Sequence, residues 1–386
     1  MFRLYNSFSL SKEDFVPFQK NLARVFICGP TVYDYMHLGH ARIFLTYDVL
    51  SRFLNDQGIK TDVLVNITDI NQQVFRKAKE TSATYKQVAE FYTNEFISDL
   101  SLLGIKSVSR IAYVSDYIPF IESEIKKLEK KELAYRAHGN VYLDVSQVRN
   151  YGKMSQQTRD QINMHRLDIG PGKKNPEDIM LWNCSEDFDF TWESEFGNGV
   201  PWWHMQDTAV AIANFGKNYD IHGGAHELLY PHHEAHLAQY QLITGEQFPI
   251  KTWMHVGLVM SNGDKMSKSL GNVVWVKDLV KKYGHELIRL YLFSRHYRED
   301  LVFSENDVLA QKPLLELIHL TSLCVSEYTD ESLLPVIRGF VDSLHDDLDT
   351  PAALSHFEKI CQSVQGGAKL SEADFNRMCL ILGIMA

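Results

Sequence analysis

The sequence lacks several features that would place the protein in a specialised class. It has only five cysteines, odd in number and far apart, which excludes a disulfide-stabilised scaffold and favours a reducing compartment. No run of about 18 uninterrupted apolar residues occurs, and the first ten residues lack the basic-then-apolar pattern of a signal peptide. These absences predict a soluble cytoplasmic protein that does not associate with a membrane.

The sequence also lacks an excess of positive charge. It has 39 lysines and arginines against 49 aspartates and glutamates, for a net charge of −10, so no protein-wide basic field exists to hold nucleic acid non-specifically. The lysines at 126–131 and 173–174 are interspersed with acids or stand in short pairs, which is typical of solvated surface. A length of 386 residues predicts two or three domains at roughly 150 residues each.

Strand and helix patterns alternate in the first part of the chain. Apolar residues at 24–28 before Gly29-Pro30 predict a buried strand and a loop, and apolar residues spaced by three and four from Leu38 to Phe53 predict a helix. A second strand is predicted at 61–66. Together they indicate a β-α-β unit with a parallel sheet and a ligand site at the carboxyl ends of its strands.

The same pattern returns late in the chain, with strands predicted at 218–222 and 254–260. We therefore predict an α/β fold whose Rossmann-like parallel sheet is split by an insertion and followed by a C-terminal α-helical bundle. The predicted units are a catalytic domain of residues 1–111 and 202–277, an insertion of residues 112–201, and a helical domain of residues 278–386. After Asp278 we expect helices only.

Two short motifs point to a nucleotide. His37 and His40, with Gly39 between them, open the first helix after the Gly-Pro loop, where free N–H groups and the helix dipole favour an anion. Lys265 and Lys268 lie on a loop of small residues after the last predicted strand, and their ammonium groups suit a triphosphate. Either motif alone is typical of a helix cap or a solvated loop. Together, at the strand ends of one sheet, they predict a phosphate-binding site.

A third cluster is rich in histidine. His232 and His236 are one helical turn apart, a spacing that suits a metal ion, and three further histidines lie nearby at positions 222, 226 and 233. The second histidine of the segment 233–236 comes one residue too early for the zinc protease motif. A zinc hydrolase is therefore the weaker interpretation, and it leaves the lysine loop without a role.

The histidine and lysine motifs resemble the signature pair of class I aminoacyl-tRNA synthetases. The whole chain resembles the cysteinyl-tRNA synthetase family, which includes the mycothiol cysteine ligase. The segments that carry this resemblance span most of the sequence: Cys28–Asp34, Asn66–Ile70, Asp220–Gly224, Pro231–Glu234, Lys265–Ser269 and Asp346–Pro351.

The resemblance implies an enzyme that uses ATP, with Mg²⁺, to activate an amino acid as an acyl-adenylate. It implies that His37, His40, Lys265 and Lys268 are catalytic. It further implies that ATP is bound by Gly39, Gly223, Gly224, His37, His40 and Lys268. The substrate pocket would be formed by Thr31, Asp34, Thr68, Trp203 and Glu227.

In this family a zinc ion with an open coordination position selects cysteine by binding its thiolate. Matched by position, the ligands in this chain are Cys28, Asp207, His232 and His236. Asp207 replaces the family's second cysteine, and the loss of one thiolate makes the ligand set harder and less electron-rich. His236 replaces the family's glutamate. These departures leave the identity of the activated amino acid open.

The C-terminal region also departs from the family, because no anticodon-binding domain is expected after the helical bundle. For this reason we predict a small-molecule amine as acceptor, with tRNA aminoacylation as the alternative. A non-catalytic nucleotide-binding or tRNA-binding paralogue is a further alternative, although both histidines and both lysines are present. We expect a monomer.

Overall fold

A computed structural model of the protein describes residues 1–158, 161, 170–184, 188–261, 263–266 and 271–385, with the backbone alone for residues 264 and 265. The strands are β1 (Arg3–Asn6), β2 (Ser11–Asp14), β3 (Leu22–Ile27), β4 (Lys60–Ile67), β5 (Arg110–Tyr113), β6 (Ala134–Ala137), β7 (Asn140–Leu143), β8 (Ile179–Asn183), β9 (Val200–Pro201), β10 (Tyr219–Ala225), β11 (Ile250–Val256), β12 (Val259–Ser261), β13 (Asp264–Lys265) and β14 (Leu301–Phe303).

The helices surround these strands and fill the C-terminal part of the chain. They are α1 (Leu38–Asp56), α2 (Gln72–Thr81), α3 (Tyr85–Leu102), α4 (Ile118–Lys130), α5 (Trp203–Phe215), α6 (Glu234–Thr244), α7 (Val276–Tyr283), α8 (His285–Phe293), α9 (Glu305–Leu309), α10 (Lys312–Ser322), α11 (Leu334–His345), α12 (Thr350–Gln365) and α13 (Glu372–Leu382). Among the described helices, none combines the length and the apolar character needed to cross a bilayer.

A five-stranded sheet forms the centre of the fold, with strand order β11-β10-β3-β4-β5. All of its neighbours pair in parallel, and β3 lies between β10, which is nearly 200 residues later in the chain, and β4. This pairing confirms the predicted α/β fold and the split Rossmann-like sheet. The helix α1 connects β3 to β4 and buries the predicted apolar positions from Leu38 to Phe53.

A separate antiparallel sheet, with strand order β6-β7-β8-β9, lies in the segment between the two halves of the parallel sheet. The helices from α10 to α13 follow the parallel sheet in sequence, and α11, α12 and α13 pack through the rings of Phe340, Phe357 and Phe375. The precise domain boundaries at residues 111, 202 and 278 stay a prediction.

Two sequence expectations about strands are wrong in detail. The segment 254–260 is not one strand, because β11 ends at Val256 and β12 begins a different sheet at Val259. A Cβ atom on Gly257, between them, would come within 2.3 Å of the Glu299 carbonyl oxygen. The region after Asp278 also contains β14, a three-residue strand that pairs in parallel with β12. Its short length explains why it gives no alternating pattern.

A buried ion pair joins the parallel sheet to the helices that follow it. The Asp48 carboxylate on α1 is fully buried and accepts hydrogen bonds from Arg289, at 2.7 Å, and from Arg52, at 2.7 Å. Arg289 also donates to the carbonyl oxygen of Leu382, at the end of α13. Burial alone would raise the pKa of Asp48, but the two guanidinium groups outweigh it and hold the pKa below its ordinary value.

We predict that Asp48→Asn lowers the free energy of unfolding by about 3–5 kcal/mol, because it leaves the buried Arg289 charge uncompensated. Since the folded-state pKa of Asp48 is lowered, its contribution is present above the ordinary carboxyl pKa and is lost as the pH falls through the folded value. Urea unfolding at neutral and acidic pH measures both effects.

A matched control is Asp346→Asn, which removes a half-exposed carboxylate paired with Arg3 and Lys12. It should cost at most about 1 kcal/mol. Equal losses in the two variants would contradict the structural role assigned to Asp48.

Candidate active site

A large cleft opens at the carboxyl end of β3, where the parallel sheet is expected to place a ligand. Its volume is about 1230 Å³. Among the predicted site residues it is lined by Thr31, Asp34, His37 and His40. The loop after β3 supplies Thr31 and Asp34, and the first turn of α1 supplies His40, so strand, loop and helix converge on one space.

The two signature histidines hold each other in a fixed arrangement. Their rings stack with centroids 3.8 Å apart. Nδ1 of His37 accepts a hydrogen bond from the Gly39 N–H at 3.1 Å, and Nδ1 of His40 accepts one from the His37 N–H at 3.4 Å. Because Nδ1 is the acceptor in each ring, the proton of the neutral imidazole lies on Nε2.

This arrangement corrects one expectation. The N–H groups at the start of α1 are not all free for an anion, since Leu38 donates to the Val274 carbonyl oxygen and Gly39 donates to His37. The imidazoles cap the helix and can present their own Nε2–H groups in place of these amides. Burial, and then the charge of His37, lower the pKa of His40 well below its ordinary value, so His40 is a neutral donor at physiological pH.

The lysine motif begins at the same cleft. The strand β13 pairs with β12 through Met260 and Lys265, and the next residue, Met266, lines the cleft. A Cβ atom on Gly39 would lie 3.5 Å from the Met266 side chain, so the two motifs are neighbours across this point. Lys268 and the side chain of Lys265 lie outside the described residues.

A group of metal-type donors lies directly after β3. Ligand atoms of Cys28, His232 and His233 all lie within 4.8 Å of one another. The Cys28 sulfur is 3.2 Å from Nε2 of His233, and Nε2 of His232 is 2.9 Å from the Asp207 carboxylate. Of the four predicted ligands, the structure therefore brings Cys28, Asp207 and His232 together and adds His233.

The structure does not bring His236 into this group. Its Nε2 faces the Tyr219 hydroxyl at 2.9 Å, and its Nδ1 faces the Thr208 hydroxyl at 3.3 Å. The Tyr219 hydroxyl also lies 2.6 Å from Nδ1 of His222, whose Nε2 lies 3.4 Å from the Cys28 sulfur. His236 is thus linked to Cys28 through His222, both by direct ring contact at 4.4 Å and through the Tyr219 hydroxyl.

Most residues of the donor group and its surroundings are buried, and burial shifts the pKa values of several of them. It raises the pKa of the Cys28 thiol well above its ordinary value and lowers the pKa values of His222 and His233 well below theirs. The pKa of His255 falls to about 3 for the same reason. These imidazoles are therefore neutral, the form that binds a metal ion.

The remaining predicted residues occupy different places. The ring of Trp203 stacks on His232 at 4.2 Å with an interplanar angle of 4°, and Thr68 pairs with the cleft residue Thr31 through a backbone bridge. Glu227 lies exposed on a short 3₁₀ turn after β10. Trp203 thus adjoins the donor group and Thr68 adjoins the cleft loop, whereas Glu227 is more peripheral.

The two glycines on β10 are required by close packing. A Cβ atom on Gly223 would come within 2.3 Å of the Tyr47 ring, and one on Gly224 within 3.0 Å of His233. The Gly224 N–H donates to the Tyr47 hydroxyl, which in turn donates to the Met254 carbonyl oxygen. Neither glycine lines the described cleft, so their predicted contact with ATP stays a prediction.

Sequence reasoning missed several residues of the site. His204 contacts His232 at 2.8 Å, His255 contacts His233 at 2.7 Å, and Asn66 donates to Asp207 at 2.9 Å. Asn66 also accepts from the Gly29 N–H at 2.9 Å, so it holds the loop and Asp207 together. The available signal was the position of Asn66 and His255 near the carboxyl ends of β4 and β11.

Comparison with known proteins gives the class of this site. The family model of the class I (C) tRNA synthetase catalytic domain matches residues 14–312. The chain is similar in fold to the methionyl-tRNA synthetase of Mycobacterium tuberculosis in complex with methionyl-adenylate, with a TM-score of 0.68 at 15% identity over 94% of this chain and 88% of that chain. It is also similar to the Agrobacterium radiobacter LeuRS–tRNA–LeuAMS complex, with a TM-score of 0.66 at 12% identity over 96% and 84% of the two chains.

Sequence relatives define the family more narrowly. The cysteine–tRNA ligase of Thermococcus gammatolerans is 35% identical over 94% of this chain and 79% of its own length. That of Thermoplasma acidophilum is 36% identical over 90% and 78%. The chain belongs to the cysteinyl-tRNA synthetase family, and it is an ATP-dependent, adenylate-forming ligase of the class I aminoacyl-tRNA synthetase type. The non-catalytic alternative is thereby set aside.

We predict that Asn66→Ala lowers the free energy of unfolding by about 1–3 kcal/mol for each partner left unsatisfied, here the Gly29 N–H and the Asp207 carboxylate. Urea denaturation measures the loss. A control is Asn218→Ala, which removes a half-buried amide that accepts one bond from Arg24 and should cost about 1 kcal/mol or less. A neutral Asn66→Ala would show that Asn66 does not hold the loop.

Proposed function

We propose that the protein activates cysteine with ATP and transfers the cysteinyl group to the 3′ end of tRNA. The choice of cysteine as the amino acid rests on the Cys28, His232 and His233 group at the end of β3. Cys28 lies three residues before the cleft residue Thr31. The acceptor is supported by the relatives, which are named cysteine–tRNA ligases and cover most of the chain. Nothing in these comparisons supports the small-molecule amine that the sequence predicts.

The donor group fits zinc. A thiol and two imidazoles are ligands that zinc prefers, and their mutual distances allow all three to contact one ion. Asp207 lies within 2.9 Å of His232 and orients that ring from outside the three-residue group. When bound, zinc would supply an open position for a substrate thiolate, which a serine hydroxyl would not match.

The number of protein ligands decides whether the substrate thiolate can bind to the zinc ion. With Cys28, Asp207, His232 and His236 all bound, a tetrahedral ion would have no open position for the substrate. The contacts of His236 with Tyr219 and Thr208 support a shell that does not include it. The replacement of the family's glutamate by His236 is then a weaker argument against cysteine as the substrate.

Activation forms a bond between a carboxylate oxygen of the amino acid and the α-phosphorus of ATP, and it breaks the bond from that phosphorus to the bridging oxygen of pyrophosphate. We propose that the Nε2–H groups of His37 and His40 donate to the phosphate oxygens as charge moves onto them. A neutral imidazole fits this role, since it keeps its proton throughout. Mg²⁺ would accompany ATP, and Lys265 and Lys268 would offset the remaining negative charge.

Exchange of labelled pyrophosphate into ATP, tested with each of the twenty amino acids, is the primary experiment. We expect exchange with cysteine alone, followed by acid-precipitable product when tRNA is added. Exchange with another amino acid would overturn the choice of cysteine. If exchange occurs but no charged tRNA forms when tRNA is added, the choice of tRNA as acceptor is overturned.

We predict that His40→Asn lowers kcat for pyrophosphate exchange by about 10²–10³-fold, because it removes one donor that stabilises the transition state. The matched control is His319→Asn, on the half-exposed histidine that pairs with Glu286, and it should leave exchange unchanged. A wild-type rate in His40→Asn would exclude the proposed role.

We predict that Cys28→Ser loses bound zinc, because the thiolate ligand is gone, whereas His236→Gln retains it. Metal content after dialysis against a moderate chelator measures both, independently of activity. Circular dichroism of each variant controls for folding. Equal loss of zinc from His236→Gln would place His236 among the ligands.

A further inference from the structure

Four aromatic rings form a cluster at the mouth of the cleft, which we call the aromatic rim. Tyr35 packs edge to face against Phe91, Tyr92 and Trp275, with ring centroids 6.4, 5.5 and 6.3 Å apart. Tyr35, Tyr92 and Trp275 line the cleft. Tyr35 is 38% exposed and Phe91 is 50% exposed, so the cluster runs from the cleft wall to the outer surface.

Cationic side chains accompany the rim. The Lys277 ammonium group lies 5.0 Å from the Tyr35 ring centroid and also pairs with Glu95. Arg76 and Lys77, on α2, line the cleft and offset the two lining carboxylates, Asp34 and Glu80. In a chain with a net charge of −10, this balance leaves the mouth of the cleft without the negative charge that would repel a polyanion.

We propose that the aromatic rim is a stacking surface for unpaired bases at the 3′ end of an RNA acceptor. This inference rests on the proposed function, which places the acceptor ribose at an adenylate in the cleft. Single-stranded RNA ends are bound by stacking of bases on aromatic faces, which tolerates any sequence. The half-exposed Phe91 ring provides such a face, and Tyr35 continues it into the cleft.

The occupant is a nucleic-acid strand in preference to the adenine of ATP. Phe91 does not line the described cleft, whereas the phosphate-binding histidines do. A nucleotide bound at His40 therefore does not have to contact Phe91. A strand that enters the cleft from outside contacts Phe91 first. The rim thus extends the site beyond the volume that ATP and the amino acid require.

The test is Phe91→Ala in the full chain, assayed with total tRNA and with an unstructured eight-nucleotide RNA. We expect the KM for tRNA and the Kd for the oligonucleotide to rise roughly tenfold, with pyrophosphate exchange unchanged. Phe91→Tyr keeps the ring and should remain within about twofold of the wild type. Phe248→Ala removes a ring that is 59% exposed and does not line the cleft, and it should change nothing.

Each other outcome overturns the inference. An unchanged KM for tRNA and unchanged Kd in Phe91→Ala would show that the rim does not bind RNA. A raised KM for ATP with unchanged RNA binding would assign the rim to adenine. If the wild type charges no tRNA, the proposed acceptor fails, and the oligonucleotide measurement still decides the rim separately: equal Kd values in wild type and Phe91→Ala overturn it.

Discussion

The site depends on the parallel pairing of β3 with β10. The Cys28 N–H donates to the Gly223 carbonyl oxygen at 3.0 Å, which continues the ladder past the last residue of β3. Residues that are nearly 200 positions apart thereby become neighbours, and the Cys28 sulfur comes within 3.4 Å of His222. A shift of one residue would turn the alternate side chains to the other face of the sheet and separate the donors.

Burying so many polar groups in one place is costly unless each finds a partner. The structure meets this cost by pairing the rings, since the contact of His204 with His232 and that of His233 with His255 each share one proton between two nitrogens. Burial also lowers the pKa values of His204, His233 and His255. Charged imidazoles at these distances would repel. The neutral state therefore serves both stability and the binding of a metal ion, which requires an unprotonated nitrogen.

The parts of the fold that follow from local pattern could be predicted from the sequence. The helix α1 has apolar residues at helical spacing, and β3 and β4 contain apolar runs. The strand β10 mixes Asp220 and His222 with apolar residues, and it was predicted from the return of the α/β pattern. β14 was not, because a three-residue strand has no periodicity and forms only through its partner β12. The gap between β11 and β12 depends on the close contact at Gly257, which is a tertiary constraint.

The site itself was predictable where a residue type carries the chemistry and less so where geometry decides. His37 and His40 point to a ligand site only together with the lysine motif, and Cys28 through its place directly after β3. The structure places all three near one strand end. The choice between His233 and His236 could not be made from spacing, because both lie near His232 and ring orientation depends on Tyr219 and Thr208. Tyr219 is contributed by β10, and its hydroxyl reaches His236 only after the chain has folded.

The histidines at the start of α1 and the histidines around Cys28 use the same side chain in different electrostatic roles. At the start of α1, backbone N–H groups occupy Nδ1 and leave the proton on Nε2, which makes each ring a donor toward an anion. Around Cys28, the ring nitrogens of His222 and His233 face the Cys28 sulfur on one side and a hydroxyl or a second imidazole on the other. Under the proposed function, a chain of net negative charge would bind phosphates through the histidines of α1 and a metal ion through the Cys28 group. The ten residues from Cys28 to His37 separate these two groups. Under the proposed function, the bound amino acid would span this separation, with its side chain at the Cys28 group and its carboxylate at the α-phosphorus.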